Sequence, residues 1–258
     1  MKTVALTIAG SDPSGGAGIQ ADLKTFHQLG VYGMSVITLL TIQNTQSVKK
    51  VQVLKPDFVL AQLESVIKDI LPQAAKTGAL GSKPIVEVIA KHAKKMEFPL
   101  VVDPVIVSKH GARLLSVQGQ RALIRKLFPY ATLITPNLLE AMILAKREKR
   151  SSLTDIAKAI ADLGPKAVLI TGIQERDQSI DLFYNEGQFH RFQARWIRTK
   201  HTHGTGCTLS AAITAELAQG KKIWDAINIA KKFVTKAIAT NPKLGHGFGP
   251  LNLHAKLD

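Results

Sequence analysis

Apolar residues in this chain fall into short runs with the period of a strand, and these alternate with longer stretches spaced like helices. Thr3 to Ala9 alternates and is β-branched, as in a buried strand. Ser35 to Ile42 reads as a second strand and Ala75 to Leu80 as a short third one. Leu100 to Val105 is a continuous apolar run interrupted by Asp103, as in a parallel strand covered on both faces. Leu133-Ile134 leads into a turn at Thr135-Pro136, and Ala167 to Gly172 repeats the parallel-strand pattern. Helical stripes lie between them. Val59, Leu63, Val66, Ile67 and Ile70 share one face of Lys55 to Leu71. Ser82 and Pro84 open a helix whose inner face is Ile85, Val86, Ile89, Ala90 and Ala93. Asp181 to Phe192 reads as a hairpin turning at Asn185-Glu186-Gly187-Gln188. Helices follow to about Gln219 and from about Ile223 to Thr240, before a glycine-rich tail, Gly245 to Pro250. Strands alternating with helices predict an α/β fold with a mostly parallel sheet, and no linker divides it, so residues 1–258 are expected to form one domain.

Two glycine-bearing stretches stand out. Gly10 to Asp22 is a strand-to-helix loop containing four glycines, and it has neither a Rossmann nor a Walker spacing. Such a loop at a strand's carboxyl end is where open α/β sheets bind ligands. Thr202-His203-Gly204-Thr205-Gly206-Cys207-Thr208 runs directly into an apolar helix. With the helix starting near Gly206, the amides of Gly204, Thr205, Gly206 and Cys207 would sit unpaired at its positive end, suited to a phosphoryl group gaining charge. A helix N-terminus also lowers a thiol's pKa, which would make Cys207 reactive. The same residues equally describe a turn capping a buried helix, with Cys207 as a small core residue. Asn137 and Glu140 have capping-box spacing, which competes evenly with a phosphate or metal role. Gln43-Asn44-Thr45 could read the edge of a ring or simply start a turn.

Composition changes this picture little. Hydrophobic residues are 45% and charged residues 21% of 258, as in ordinary globular proteins. No apolar run is long enough to span a bilayer, so no membrane partner is expected. The apolar N-terminus lacks a small-residue cleavage site and reads as a strand rather than a signal peptide. The single cysteine fits a reducing compartment, hence the cytoplasm. A net charge of +15 raises nucleic-acid binding, but the basic residues are spread out and aromatics are only 5%, so no nucleic-acid partner is expected.

The motifs Ala9 to Phe26, Gln43-Asn44-Thr45, Asp103-Pro104-Val105, Ile134 to Ala141 and Thr202 to Ser210, in this order, resemble the hydroxymethylpyrimidine/phosphomethylpyrimidine kinases of thiamine biosynthesis. The resemblance runs from about residue 4 to residue 254. It implies a ribokinase-like three-layer α/β/α fold and ATP-dependent phosphorylation of 4-amino-5-hydroxymethyl-2-methylpyrimidine and then of its monophosphate. By that pattern Gly204, Thr205 and Gly206 form the anion hole, and Cys207 takes or hydrogen-bonds the substrate hydroxyl proton. Gln43 and Asp22 bind the aminopyrimidine, with Gly10, Ala17 and Ala79 around it. Asn137 and Glu140 serve Mg²⁺ and phosphate with Asp103 nearby, Lys231 and Val234 flank the adenine, and a homodimer is implied. Three positions depart from the pattern. Thr171 stands where the family often has a phosphate-binding lysine, Ala79 replaces a bulkier methionine, and His201 replaces an Asn or Asp. Ala79 leaves a pyridoxal-type kinase as the rival on this fold, and Thr171 leaves a binding protein without catalysis. His201 and His203 lack a third partner of metal-ligand type and are expected to make hydrogen bonds.

Overall fold

The computed structural model describes residues 3–148 and 151–257. Its strands are β1 (Val4–Ser11), β2 (Tyr32–Gln43), β3 (Val48–Val53), β4 (Ala74–Thr77), β5 (Leu100–Val102), β6 (Leu133–Ile134), β7 (Ala167–Glu175), β8 (Gln178–Asn185) and β9 (Gln188–Arg195). Among the described residues they form one sheet, in the order β3-β2-β1-β4-β5-β6-β7-β8-β9. The six strands from β2 to β7 are mutually parallel, and β3, β8 and β9 extend the edges antiparallel. The helices are α1 (Gly18–Gln28), α2 (Pro56–Asp69), α3 (Lys83–Ala93), α4 (Val117–Ala122), α5 (Leu138–Ala145), α6 (Leu153–Ala161), α7 (Thr205–Ala218) and α8 (Ile223–Ala239).

Alternation along each strand builds the three layers. Leu6, Ala75, Val102, Ile134 and Ile170 point to the face covered by α2 to α6, while Ala5, Ala74, Val101, Leu133 and Leu169 face α1, α7 and α8. Helix α7 has no polar side: Thr208 to Ala218 are all buried, because α1 and α8 pack on either side of it and the sheet lies beneath. The hairpin turns where expected, with Glu186 and Gly187 both at positive φ, as a two-residue turn requires.

Three elements depart from the sequence expectation. β3 was missed because Val48–Val53 carries Lys49 and Lys50 outward, the usual protection of an edge strand, and so does not read as apolar. α4 was missed because it is short and runs on into a π-turn at Leu123–Leu127 and a 3₁₀ turn at Phe128–Tyr130. α6, capped by the Ser152 side chain, was not anticipated either. β5 ends at Val102, so Asp103 lies just past the strand.

One position on β4 breaks the apolar pattern. Lys76 shares the Ala74 face, is fully buried, and pairs with Asp22 of α1 at 2.7 Å. Burial pulls its ammonium down, but Asp22 foremost, with Cys207 and Asp103, holds it above the ordinary lysine range. Removing one member of a buried ion pair costs about 3–5 kcal/mol, because the other charge is left uncompensated. Lys76→Met should therefore lower the thermal midpoint by roughly 6–20 °C for a chain of this size. Lys76→Met/Asp22→Leu should recover most of that loss. A double variant as unstable as the single one would remove the uncompensated charge as the cause.

Candidate active site

The parallel strands all end on one side of the sheet, and the loops there enclose a cavity of about 700 Å³. Every site residue named from the sequence lines it: Gly10, Ala17, Asp22, Gln43 and Ala79 from the first third of the chain; Asp103, Asn137, Glu140 and Thr171 from the middle; and Gly204 to Cys207, Lys231 and Val234 from the end.

The open end of α7 is the centre of this arrangement. Gly204 caps the helix at φ 82°, and a Cβ there would overlap the Gly16 carbonyl oxygen, so only glycine fits. The helix starts at Thr205, one residue earlier than expected. Thr205 N–H turns back to the Thr202 carbonyl at 3.4 Å. Among the described residues nothing accepts from the amides of Gly206 and Cys207, and both residues border the cavity. Two unpaired amides therefore stand at the helix N-terminus, where the anion hole was expected.

The charge beneath it changes the reading of Cys207. Burial raises the thiol first, and the carboxylates of Asp103 and Asp22 add to this; Lys76 and the Gly18 amide pull the other way, and the result is about 12. The expected lowering by the helix end is overridden, so at neutral pH Cys207 is a thiol and not a thiolate. Asp103 is pushed up to about 6, by burial first, while Lys76 pulls it down and Asp22 raises it. Its Oδ2 lies 3.1 Å from Ser210 Oγ, a hydroxyl that also reaches the carbonyls of Gly206 and Cys207. Glu140 is raised to about 8 by burial and then by Asp103. The capping box is real: Asn137 Oδ1 accepts from Glu140 N–H, and Glu140 Oε2 accepts from Asn137 N–H. Glu140 Oε1 also accepts from Ile106 N–H at 3.1 Å, which ties the loop after β5 to α5.

Asp22 needs a correction. It lies at the cavity floor, but its oxygens are taken by Lys76 and by the Thr7 hydroxyl at 2.6 Å, and it has no exposed surface. Compensating Lys76 is its role here, rather than reading a ring. Lys76 itself was not singled out from the sequence, although a lysine inside Ala74-Ala75-Lys76-Thr77 was the signal available.

Around Gln43 the loops meet at His203. Its Nε2 is 2.8 Å from Asp12 Oδ2 and 3.0 Å from Gln43 Nε2, so it does serve hydrogen bonds as expected. Burial would raise Asp12, but hydrogen bonds from His203 and Ser14 hold it below the ordinary carboxylate range. Ala79 borders the cavity close to Gly10, whose added Cβ would meet Leu39 and lie 3.6 Å from the Ala79 methyl. No group of three His, Cys, Asp or Glu residues suited to a metal occurs among the described residues. His201 departs from the hydrogen-bonding expectation: its Nδ1 is buried without a hydrogen-bond partner among the described residues, and the bond it does make is from its backbone N–H to Thr199 Oγ1 at 3.1 Å.

On the other side, Thr171 N–H bonds the Pro136 carbonyl at 2.9 Å. Lys231 of α8 pairs with Asp181 at 2.9 Å and reaches Ser179 Oγ at 3.1 Å, and Asp181 accepts from Gly172 N–H. The lysine thus fastens α8 to β8 beside Val234 and is not free for a phosphate.

Free helix-end amides above a cavity at the carboxyl edge of a parallel sheet suit a phosphate-bearing small molecule, as in the small-molecule kinases of ribokinase-like fold. The phosphomethylpyrimidine kinase family profile matches residues 12–252, and the chain belongs to that family. A hydroxymethylpyrimidine/phosphomethylpyrimidine kinase of Staphylococcus aureus is 43% identical, over 98% of this chain and 94% of its own. Among solved structures, Bacillus subtilis pyridoxal kinase in an ADP complex superposes with a TM-score of 0.90 at 39% identity, covering 99% of this chain and 98% of that one. A phosphomethylpyrimidine kinase of Clostridium difficile gives 0.80 at 42% identity, covering 92% and 100%.

Two outcomes follow from this geometry. Alkylation of Cys207 by iodoacetamide should be slow at pH 7–8 and should rise up to pH 10 without a plateau, since the thiolate forms only near 12. A plateau near pH 7 would mean that the helix end dominates after all. Gly204→Ala should abolish turnover and lower the thermal midpoint, because both the positive φ and the Gly16 contact exclude a Cβ. An active, stable variant would show that the loop can rearrange.

Proposed function

We propose that the protein transfers the terminal phosphoryl group of ATP to 4-amino-5-hydroxymethyl-2-methylpyrimidine and then to the resulting monophosphate, in the cytoplasm. The carrying observation is the pair of free amides of Gly206 and Cys207 facing a cavity that gathers all the residues the family pattern names. They donate to the phosphoryl oxygens as charge develops, at the positive end of α7. Lys76 adds a fixed buried cation below them. Phosphoryl transfer has a loose transition state, so the hydroxyl proton leaves late and positioning matters more than a strong base. Cys207 Sγ therefore acts as a thiol that orients the hydroxyl. Gln43 holds the ring, Gly10 and Ala17 form its wall, and Val234 borders the adenine.

Asp103 and Glu140 suit Mg²⁺: both are carboxylates whose proton affinity burial raises, and Asp103 raises that of Glu140 further, a conflict that a bound cation would relieve. Mg²⁺ commonly takes only one or two carboxylates plus substrate phosphates, so the lack of a larger protein cage is in keeping. When bound it would neutralise phosphate charge.

The Bacillus subtilis relative and the small Ala79 side chain support one other reading, a pyridoxal kinase. ADP release with Mg·ATP should be measured side by side on the hydroxymethylpyrimidine, its monophosphate and pyridoxal. Turnover on both pyrimidines is expected; turnover on pyridoxal alone would move the assignment to that kinase. Cys207→Ala should lower kcat sharply with substrate affinity nearly unchanged, and full activity would remove Cys207 from the transfer. A homodimer belongs to the proposal, supported by Leu40 and Ile42 exposed on β2 next to the sheet edge (43% and 57%). Sedimentation should give twice the mass of 28.0 kDa.

A further inference from the structure

The contacts of His203 Nε2 cannot all be satisfied as a donor on one side and an acceptor on the other. One imidazole nitrogen either carries a proton or offers a lone pair. Asp12 decides which. Its carboxylate already accepts from Ser14 N–H at 2.9 Å, Ser14 Oγ–H at 2.7 Å and Ala17 N–H at 2.9 Å, so it is an acceptor throughout. His203 must then donate through Nε2–H. An amide NH₂ of Gln43 standing 3.0 Å from that same N–H would set donor against donor. Turning the amide over removes the donor–donor conflict without moving any heavy atom from its place, leaving one Nε2–H shared between Asp12 Oδ2 and Gln43 Oε1, and hydrogen-bond networks are what fix such amide orientations.

We propose that the Asp12–His203 pair fixes the Gln43 side-chain amide with Oε1 on the imidazole and Nε2 turned to the cavity, so that the substrate ring must offer a lone pair there. His203 and Asp12 are thereby positioning residues for ring recognition. The inference rests on the proposed pyrimidine substrate. Its physical support is the rigidity of the surroundings. His203 N–H bonds the Gly249 carbonyl at 3.0 Å, and a Cβ on Gly16 would strike the imidazole Cδ2. The His110 ring stands 6.1 Å away, between His203 and Phe248. Both ring and carboxylate are buried (side chains 5% exposed), so water does not compete for the bond. The next residue, Gly204, caps α7, so ring recognition and the anion hole share one short segment.

The test uses the full-length enzyme, the hydroxymethylpyrimidine, and two analogues in which one or the other ring nitrogen is replaced by C–H. An unmatched buried donor should raise KM for one of the analogues roughly ten- to a hundredfold with kcat little changed. Gln43→Ala and His203→Ala should each raise KM for the parent and erase most of the difference between parent and analogue. His203→Gln, whose amide N–H can occupy the Nε2 position, should keep the difference. The proposal is overturned if wild type treats both analogues like the parent, or if Gln43→Ala keeps the full difference, a result that does not depend on whether the His203 variants fold. A folded His203→Ala that still discriminates would also overturn it. Wild type inactive on the parent would instead sink the substrate assignment itself.

Discussion

The contact on which the site depends is the close approach of the loop before α7 to the loop after β1. Gly204 packs on the Gly16 carbonyl with no room for a side chain. That contact aims the N-terminus of α7 across the carboxyl ends of the central strands and leaves two amides without partners. It also brings His203 against Asp12, and so sets the wall of the cavity where Gln43 lies. The surrounding structure holds the arrangement from several directions: α7 is buried on all sides, and His203 N–H is tied to the tail at Gly249.

Beneath the amides lies a group of ionisable side chains of opposite sign. Lys76 is the only cation in it, and its charge offsets those of Asp22 and Asp103 beside the neutral Cys207 thiol. What faces the cavity from the end of α7 is therefore a pair of fixed dipoles, the amides of Gly206 and Cys207, with the charges beneath them largely paired. Such preorganisation requires no rearrangement at the moment of transfer.

Much of the fold was legible because parallel strands covered on both faces leave continuous apolar runs, and Leu100 to Val102, Leu133-Ile134 and Ala167 to Ile170 all read that way. The elements that were not legible have local reasons. β3 protects a sheet edge with lysines, and α4 is too short to complete a helical stripe. Of the residues named for the site, those at glycine loops and at the α5 cap could be singled out from local pattern, and they line the cavity. What the sequence left open was electrostatic. Asp22 and Cys207 have the residue types expected of a ring ligand and a thiolate, but their behaviour depends on Lys76, which lies 54 positions from Asp22 in the chain. No local pattern conveys a partner so distant.

The two sides of the cavity are built from separate parts of the chain. Gly10, Gln43 and Ala79 come from β1, β2 and the end of β4, whereas Asp181, Lys231 and Val234 come from β8 and α8. The β8 and α8 group is fastened internally by the Lys231–Asp181 pair and does not lean on the first. Under the proposed placement of ring and adenine, changes in the first part can thus alter the alcohol's side of the cavity while the other side stays as it is. Solved relatives named pyridoxal kinase and phosphomethylpyrimidine kinase, on nearly one backbone, are what such a division of labour makes accessible to evolution.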